Sequence, residues 1–329
     1  MAPTIRHVAE LARVSPSTVS RALASPELVN VETRQRVRAA ADKLGYRPNR
    51  AARGLITGRT GNLGMIVPDL SNPFFAAVAK GVQARARERD HAVFIADTDE
   101  ETDAEADLVL ALSKQVDGIV LCSPRMLDGD LGQIAVQSKL VLLNRRFGDC
   151  PSISVDNSDG MRQAIAHLVA LGHRSIAYVG GPRTSWSNAE RSSGLREAAA
   201  AAGIDLVEVG HFHPQFGGGV AAADIVVASG ATAVIAYNDV VAIGLLSRLG
   251  ARGIAVPRDL SVVGCDDIAM SMMSHPALTT VSVPQQSAGR AAVELLLAVL
   301  EDDERVGSRQ RELPTQLMVR ASSGIAPTA

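Results

Sequence analysis

Aromatic side chains are scarce, only 3% of 329 residues with a single Trp, so the core has to be built from Ala, Val, Leu and Ile. The three cysteines, Cys122, Cys150 and Cys265, are far apart and never form a CxxC pair. That spacing fits reduced core thiols better than a disulfide framework or a zinc site. No apolar run approaches the ~20 residues that span a bilayer. The opening MAPTIRHVAELARVS has no apolar stretch of the signal-peptide kind, so a cytoplasmic protein with no membrane partner is expected. GxxxxGK[ST] and GxSxG are both missing, which removes a P-loop and a hydrolase nucleophile elbow. His211 and His213 have the spacing of metal ligands on a strand, but no Cys lies near them in sequence to complete a site. Hence no metal, cofactor or catalytic residue is expected. With 47% hydrophobic and 21% charged residues, the composition is that of a folded globular chain.

Charge is unevenly placed. The overall formal charge of −2 conceals eleven Lys/Arg against four acids in residues 1–60, a head of +7 on a body of −9. A basic head on an acidic body suits a polyanionic partner, although a solvated helical surface would look the same by charge alone.

The local pattern of the head is more specific. Thr4 is positioned to cap a helix with apolar positions Ile5, Val8, Leu11 and Ala12. Arg13-Val14 makes a tight turn, and Ser15 caps a second helix with Pro16 at its first position. Val19 and Leu23 point inward from it, and Ser25-Pro26 ends it. A third helix follows Asn30 through Val31, Val37, Ala40, Ala41 and Leu44, stopped by Gly45. Three short helices, two joined by a tight turn, describe a helix-turn-helix.

VAELARVSPSTVSRAL, followed by VNVETRQRVRAAADKLGYRPNRAARGL, resembles the lac repressor/gal repressor family of bacterial transcription regulators. The family pattern VA-x-x-A-G-VS-x-x-TVSR is met with two departures: Arg13 replaces a turn glycine, and His7 stands where an acid is common. The resemblance implies that Pro16, Ser17 and Arg21 read base edges in a major groove while Thr18 and Ser20 hold phosphates. It makes residues 46–60 a hinge segment, in which Asn49 and Arg50 adjoin the DNA and Leu55 wedges into the minor groove.

Beyond residue 62, short apolar runs alternate with amphipathic stretches. The runs are 63–70, 91–99, 117–123, 139–145, 152–157, 174–181, 206–210, 232–238 and 261–267. Apolar strands separated by helices imply parallel sheets covered on both faces, and so many units fit two doubly wound subdomains better than one sheet. The expected architecture is therefore a small all-α helix-turn-helix head on an α/β body of two doubly wound parallel-sheet subdomains. The family resemblance adds that this body is periplasmic-binding-protein-like and that the chain crosses between subdomains near Asn157, Val283 and Pro314. The expected domains are a head over 1–47, a hinge over 48–60 and a core over 61–329. Within the core, the N-subdomain takes about 61–157 and 284–313, and the C-subdomain about 158–283 and 314–329.

Ligands of such sheets bind at strand C-termini, between subdomains. Polar or aromatic residues end these strands at Ser71–Phe75, Asp97, Ser123, Asn144-Arg145, Asp156-Asn157, Asn238-Asp239 and Asp266-Asp267. The resemblance puts Asn72, Phe74, Asn144, Ser187, Arg191, Phe212, Asn238 and Asp266 in an effector pocket. There Arg191 and Asp266 would meet ligand oxygens, and Phe74, Phe212 and Trp186 would supply apolar faces. Arg145, Arg146 and Arg183 are expected nearby and would suit a sugar acid or phosphosugar, while Asp97 and Asp266 oppose that choice. The glycines 217–219 are expected as a flexible helix start.

The function expected is a ligand-responsive transcriptional repressor of carbohydrate uptake or catabolism. Its partners would be pseudopalindromic operator DNA, a sugar-like effector and a second copy of the chain. A tetramer is not expected, since PTQLMVRASSGIAPTA has no leucine heptad for a coiled coil. A periplasmic-type sugar-binding protein would share the body but not the head. A sugar-modifying enzyme would need an acid/base pair that the sequence does not offer. Whether the effector releases the operator or is required to bind it stays open.

Overall fold

The computed structural model describes residues 3–24, 26–47, 59–302 and 310–327. The chain forms two compact units, 1–61 and 62–329.

The head consists of α1 (Ile5–Ala12), α2 (Pro16–Ala24) and α3 (Val31–Leu44). Val8, Ala9, Ala12, Val19, Ala22, Val37, Ala40 and Ala41 make its core. Two apolar positions expected inside are outside: Leu11 is 45% and Val31 57% exposed. In α1 the buried stripe runs through positions 8, 9 and 12, and Leu11 turns away from it. The capping is local and legible. Asn30 Oδ1 accepts from the Thr33 amide at 2.8 Å, and Gly45 closes α3 at φ 63°. Arg13 adopts φ 54°, left-handed backbone that glycine takes freely and that costs another residue roughly 1–2 kcal/mol. His7 does the work of a capping-box acid, its Nδ1 accepting from the Thr4 amide at 3.2 Å.

The body contains two six-stranded sheets. In the first, the order is β11 (Gln310–Leu313), β5 (Ser152–Val155), β4 (Leu140–Leu143), β3 (Gly118–Cys122), β1 (Asn62–Val67) and β2 (Ala92–Asp97), all parallel. In the second it is β12 (Gln316–Met318), β10 (Thr279–Ser282), β9 (Ser261–Asp266), β8 (Ala233–Ala236), β6 (Ser175–Gly180) and β7 (Asp205–His211). Here only β12 runs antiparallel to its neighbour. Helices α4 (Pro73–Glu88), α5 (Thr102–Ser113), α6 (Asp128–Gln137) and α12 (Gln285–Leu300) belong with the first sheet. With the second go α7 (Asn157–Ala170), α8 (Trp186–Ala202), α9 (Phe216–Ala228), α10 (Asp239–Ala251) and the short α11 (Ala269–Met273). The chain passes between the sheets after β5, after β10 and between β11 and β12. Central strands such as β1, β3 and β8 are buried almost throughout, as a sheet covered on both faces requires.

The glycines near 217 do begin a helix, α9, and while Gly217 stands in open space, Gly218 and Gly219 are closely packed. A Cβ on Gly219 would lie 2.0 Å from the Val241 carbonyl oxygen of α10. Only a residue without a side chain lets the two helices approach so closely. Gly219→Ala is therefore expected to cost about 1–3 kcal/mol through forced separation of α9 and α10. Urea unfolding measures it, and an unchanged midpoint would show that the helices part without penalty.

Candidate functional site

Two surfaces carry the residues singled out above, one in each unit. On the head, α2 buries Val19 and Ala22 and presents Pro16, Ser17 and Arg21 to solvent, with Thr18 and Ser20 half-buried. Ser15 organises the helix start: its Oγ accepts from the Thr18 amide at 3.1 Å. It also shares hydrogen bonds with the hydroxyls of Ser17 at 2.7 Å and Thr18 at 2.9 Å. Asn49, Arg50 and Leu55 lie outside the described residues.

In the body, the C-terminal ends of both sheets face a narrow cleft. Asn72, Phe74, Asn144, Ser187, Arg191, Asn238 and Asp266 all line it. Several of them also hold their own loops. Asn72 caps α4, accepting from the Phe74 amide at 3.0 Å, and Phe74 meets Phe75 edge to face at 5.1 Å. Asn238 caps α10 at 2.8 Å and donates to the Pro214 carbonyl at 2.9 Å. Ser187 Oγ lies 3.0 Å from Ser185 Oγ and 3.4 Å from the Tyr237 hydroxyl. Asn144 donates to Ser123 Oγ at 3.0 Å, and its Oδ1 is buried with no protein partner. An acceptor of that kind in a cleft wall is ready for a ligand hydroxyl.

Arg191 is the most heavily engaged group. Its Nε donates to Asn157 Oδ1 at 2.9 Å, Nη1 to the Tyr237 carbonyl at 2.5 Å and Nη2 to Asp266 Oδ1 at 3.2 Å. Its guanidinium also stacks 5.2 Å above the Tyr237 ring. The fork expected to await a ligand is thus largely spent on the protein.

Burial pushes the Asp266 carboxyl up to about 6, against the pull of Arg191. Behind it Asp239, at the first turn of α10, is pushed up to about 7 by burial and then by the charge of Asp266. Hydrogen bonds from Ser271 (2.6 Å), Thr280 (2.5 Å) and the Ile268 amide (2.9 Å) work the other way.

Other expectations need correction. Phe212 is not in the wall; it packs half-buried against the apolar cluster of the second sheet, and Pro214 reaches the cleft in its place. Trp186 is also outside the wall. The terminal nitrogens of Arg145 go to the carbonyls of Pro124 and Met126 and to Asp128, leaving only its buried Nε without a partner, and Arg146 goes to Ser154 and Glu312. Arg183 is exposed. Asp97 is exposed as well, and accepts from the amides of Asp99 in its own loop and of Leu70 in the loop after β1.

Sequence pattern passed over Glu100, Arg125 and Tyr237, which also line the cleft. Arg125 Nε and Nη2 grip both oxygens of Glu100 at 2.7 and 2.9 Å. Burial opposes the Arg125 charge, but Tyr237 and Glu100 outweigh it and hold its pKa above the ordinary value. The Tyr237 ring lies flat on Gly181, where a Cβ would come within 2.5 Å of it. Ser123, Asn144 and Asp266 have φ of 48°, 58° and 116°, so backbone strain gathers in this wall.

The carboxyls set an expected pH signature. Between about pH 4 and about pH 7 the folded chain keeps a proton on Asp239 that the unfolded chain has lost. Its contribution to stability is thus full below the unfolded pKa and falls as pH rises through the folded one. Asp239→Asn removes this dependence, so the variant's melting temperature should gain on wild type as pH rises through that window. A difference independent of pH would contradict the assignment.

Residues 4–49 match the family described as bacterial regulatory proteins, lacI family, and residues 165–323 match a periplasmic binding protein-like domain. The chain is 31% identical over 334 residues to the HTH-type transcriptional repressor CytR of Escherichia coli (strain K12), covering 99% of this chain and 98% of that one. Among solved structures it is similar to the lac repressor dimer bound to operator and the anti-inducer ONPF. That match has a TM-score of 0.86 and 28% identity over 98% of this chain and 100% of the other. It is also similar to the complex of the transcriptional regulator CelR with cellobiose, with a TM-score of 0.73 and 31% identity over 98% and 100%. No described helix is long and apolar enough to cross a membrane. The chain belongs to the lacI family of bacterial regulatory proteins, as a ligand-responsive DNA-binding transcriptional regulator rather than an enzyme.

Proposed function

We propose that this regulator is a cytoplasmic homodimeric repressor of carbohydrate uptake or catabolism, with a sugar-like effector in the cleft between its two sheets. The observation that carries the DNA half is the division of α2. Its apolar side builds the head core, and its other side offers Pro16, Ser17 and Arg21 to solvent at the turn after α1. Arg21 donates to a guanine edge or holds a phosphate, and Thr18 and Ser20 lean toward the backbone. Two heads grip half-sites about one helical turn apart. Residues 48–60 act as the hinge, with Asn49, Arg50 and Leu55 against the DNA.

The effector half rests on the cleft. Asn72, Phe74, Asn144, Ser187, Arg191, Asn238 and Asp266 are its proposed binding residues, with the buried Asn144 Oδ1 the unpaired acceptor. The CelR complex with cellobiose supports a sugar class. An effector biases the regulator only through differential affinity for the two arrangements of the subdomains.

The test begins by selecting duplexes from random DNA and titrating them against wild type and Arg21→Ala, with and without sugars. If Arg21 reads guanine, the variant loses about 1–3 kcal/mol at one base position of each half-site. A uniform loss across sequences makes Arg21 a phosphate contact, and no loss on any sequence overturns the recognition surface. Sugars that change operator affinity support the effector half and set its sign; a full panel without effect overturns it.

A further inference from the structure

The charged groups of the cleft wall among the described residues are Glu100, Arg125, Arg191 and Asp266. They form two pairs. Arg125 is held by both oxygens of Glu100 at 2.7 and 2.9 Å, with side-chain exposures of 2% and 9%. Arg191 is held by Asp266 at 3.2 Å, with exposures of 3% and 6%. The pairs differ in what would happen if the acid were lost. Arg191 keeps Asn157 and the Tyr237 carbonyl, so it stays anchored without Asp266. Arg125 has Tyr237 beside it, but its fork is taken by Glu100, which accepts from Nε and one terminal nitrogen in the bidentate geometry that carboxylates and phosphates share.

We propose that Glu100 makes this cleft selective for uncharged ligands over anionic ones, by occupying the guanidinium that would otherwise bind a phosphate or carboxylate. The proposal rests on the reading of the cleft as the effector site. An entering anion meets a wall of zero formal charge, with Asp239 one layer behind Asp266, and gains a cation only by displacing Glu100 into a buried site without its partner. The unpaired Asn144 Oδ1 favours the same choice, because it accepts from a hydroxyl and repels an anionic oxygen.

The test uses the full chain and matched pairs of ligands: glucose with glucose 6-phosphate, ribose with ribose 5-phosphate, and galactose with galacturonate. Calorimetric titration and melting temperature are read for wild type, Glu100→Gln, and Glu100→Gln combined with Arg125→Met. Wild type should bind the neutral member of any active pair about tenfold or more tightly than its acidic form. Inorganic phosphate should raise the melting temperature of Glu100→Gln, but neither that of wild type nor that of the double variant. Equal or tighter binding of the acidic forms by wild type overturns the proposal, as does a folded Glu100→Gln that gains no affinity for phosphate. If Glu100→Gln does not fold, the wild-type pairs decide alone. Phosphate capture by Glu100→Gln with no sugar bound by any form supports the charge gate and overturns the sugar reading instead.

Discussion

A guanidinium sealed from water at the junction of two subdomains constrains everything around the cleft. Arg191 is 2% exposed, so each of its donors has to be met by the protein or by a ligand. Asn157 meets it from the start of α7, where the chain leaves the first sheet, Tyr237 from the end of β8 and Asp266 from the end of β9. Through those three partners Arg191 ties together the chain crossing after β5, the Tyr237 segment and the end of β9. Breaking such a pair from one side costs about 3–5 kcal/mol, far more than a surface ion pair contributes.

The polar wall built on this anchor is mostly complete before any ligand arrives. Asn72 and Asn238 cap helices, Ser187 sits among hydroxyls, and Arg125 is closed by Glu100. Asn144 Oδ1 is the exception. Left-handed backbone at Ser123, which unlike Asn or Asp has little preference for it, shows that this strand end is held in place by its surroundings. In the proposed mechanism the ligand acts on the angle between the subdomains, which the chain crosses at three points. Coupling of this kind is typically worth about 1–3 kcal/mol.

The strands from β1 to β9 could be read in the sequence, because each is a short β-branched or aliphatic run bounded by turn residues. β10, β11 and β12 escaped it. TTVS, QREL and QLM are three or four residues long, and the last two are edge strands with polar positions facing water, so no apolar run marks them. The same holds within the cleft. Asn144 and Asp266 end visible strands, whereas Glu100 and Arg125 lie in loops whose meeting depends on how β2 and β3 flank β1. Phe212 misled because it follows a strand end, yet β7 is the sheet edge and its chain turns back over the apolar cluster. Arg145 and Arg146 misled because their destinations, a carbonyl pair and the distant Glu312, have no local signature.

The most direct measurement of the central claim is a double-mutant cycle on Arg191 and Asp266, read by urea unfolding of wild type, Arg191→Met, Asp266→Asn and the double variant. If the guanidinium and the carboxylate hold each other in the cleft wall, the single losses are non-additive, with a coupling of about 1–3 kcal/mol above neutral pH. That coupling should shrink below about pH 6, where the Asp266 carboxyl takes up its proton. Additive single losses, unchanged by pH, would contradict it.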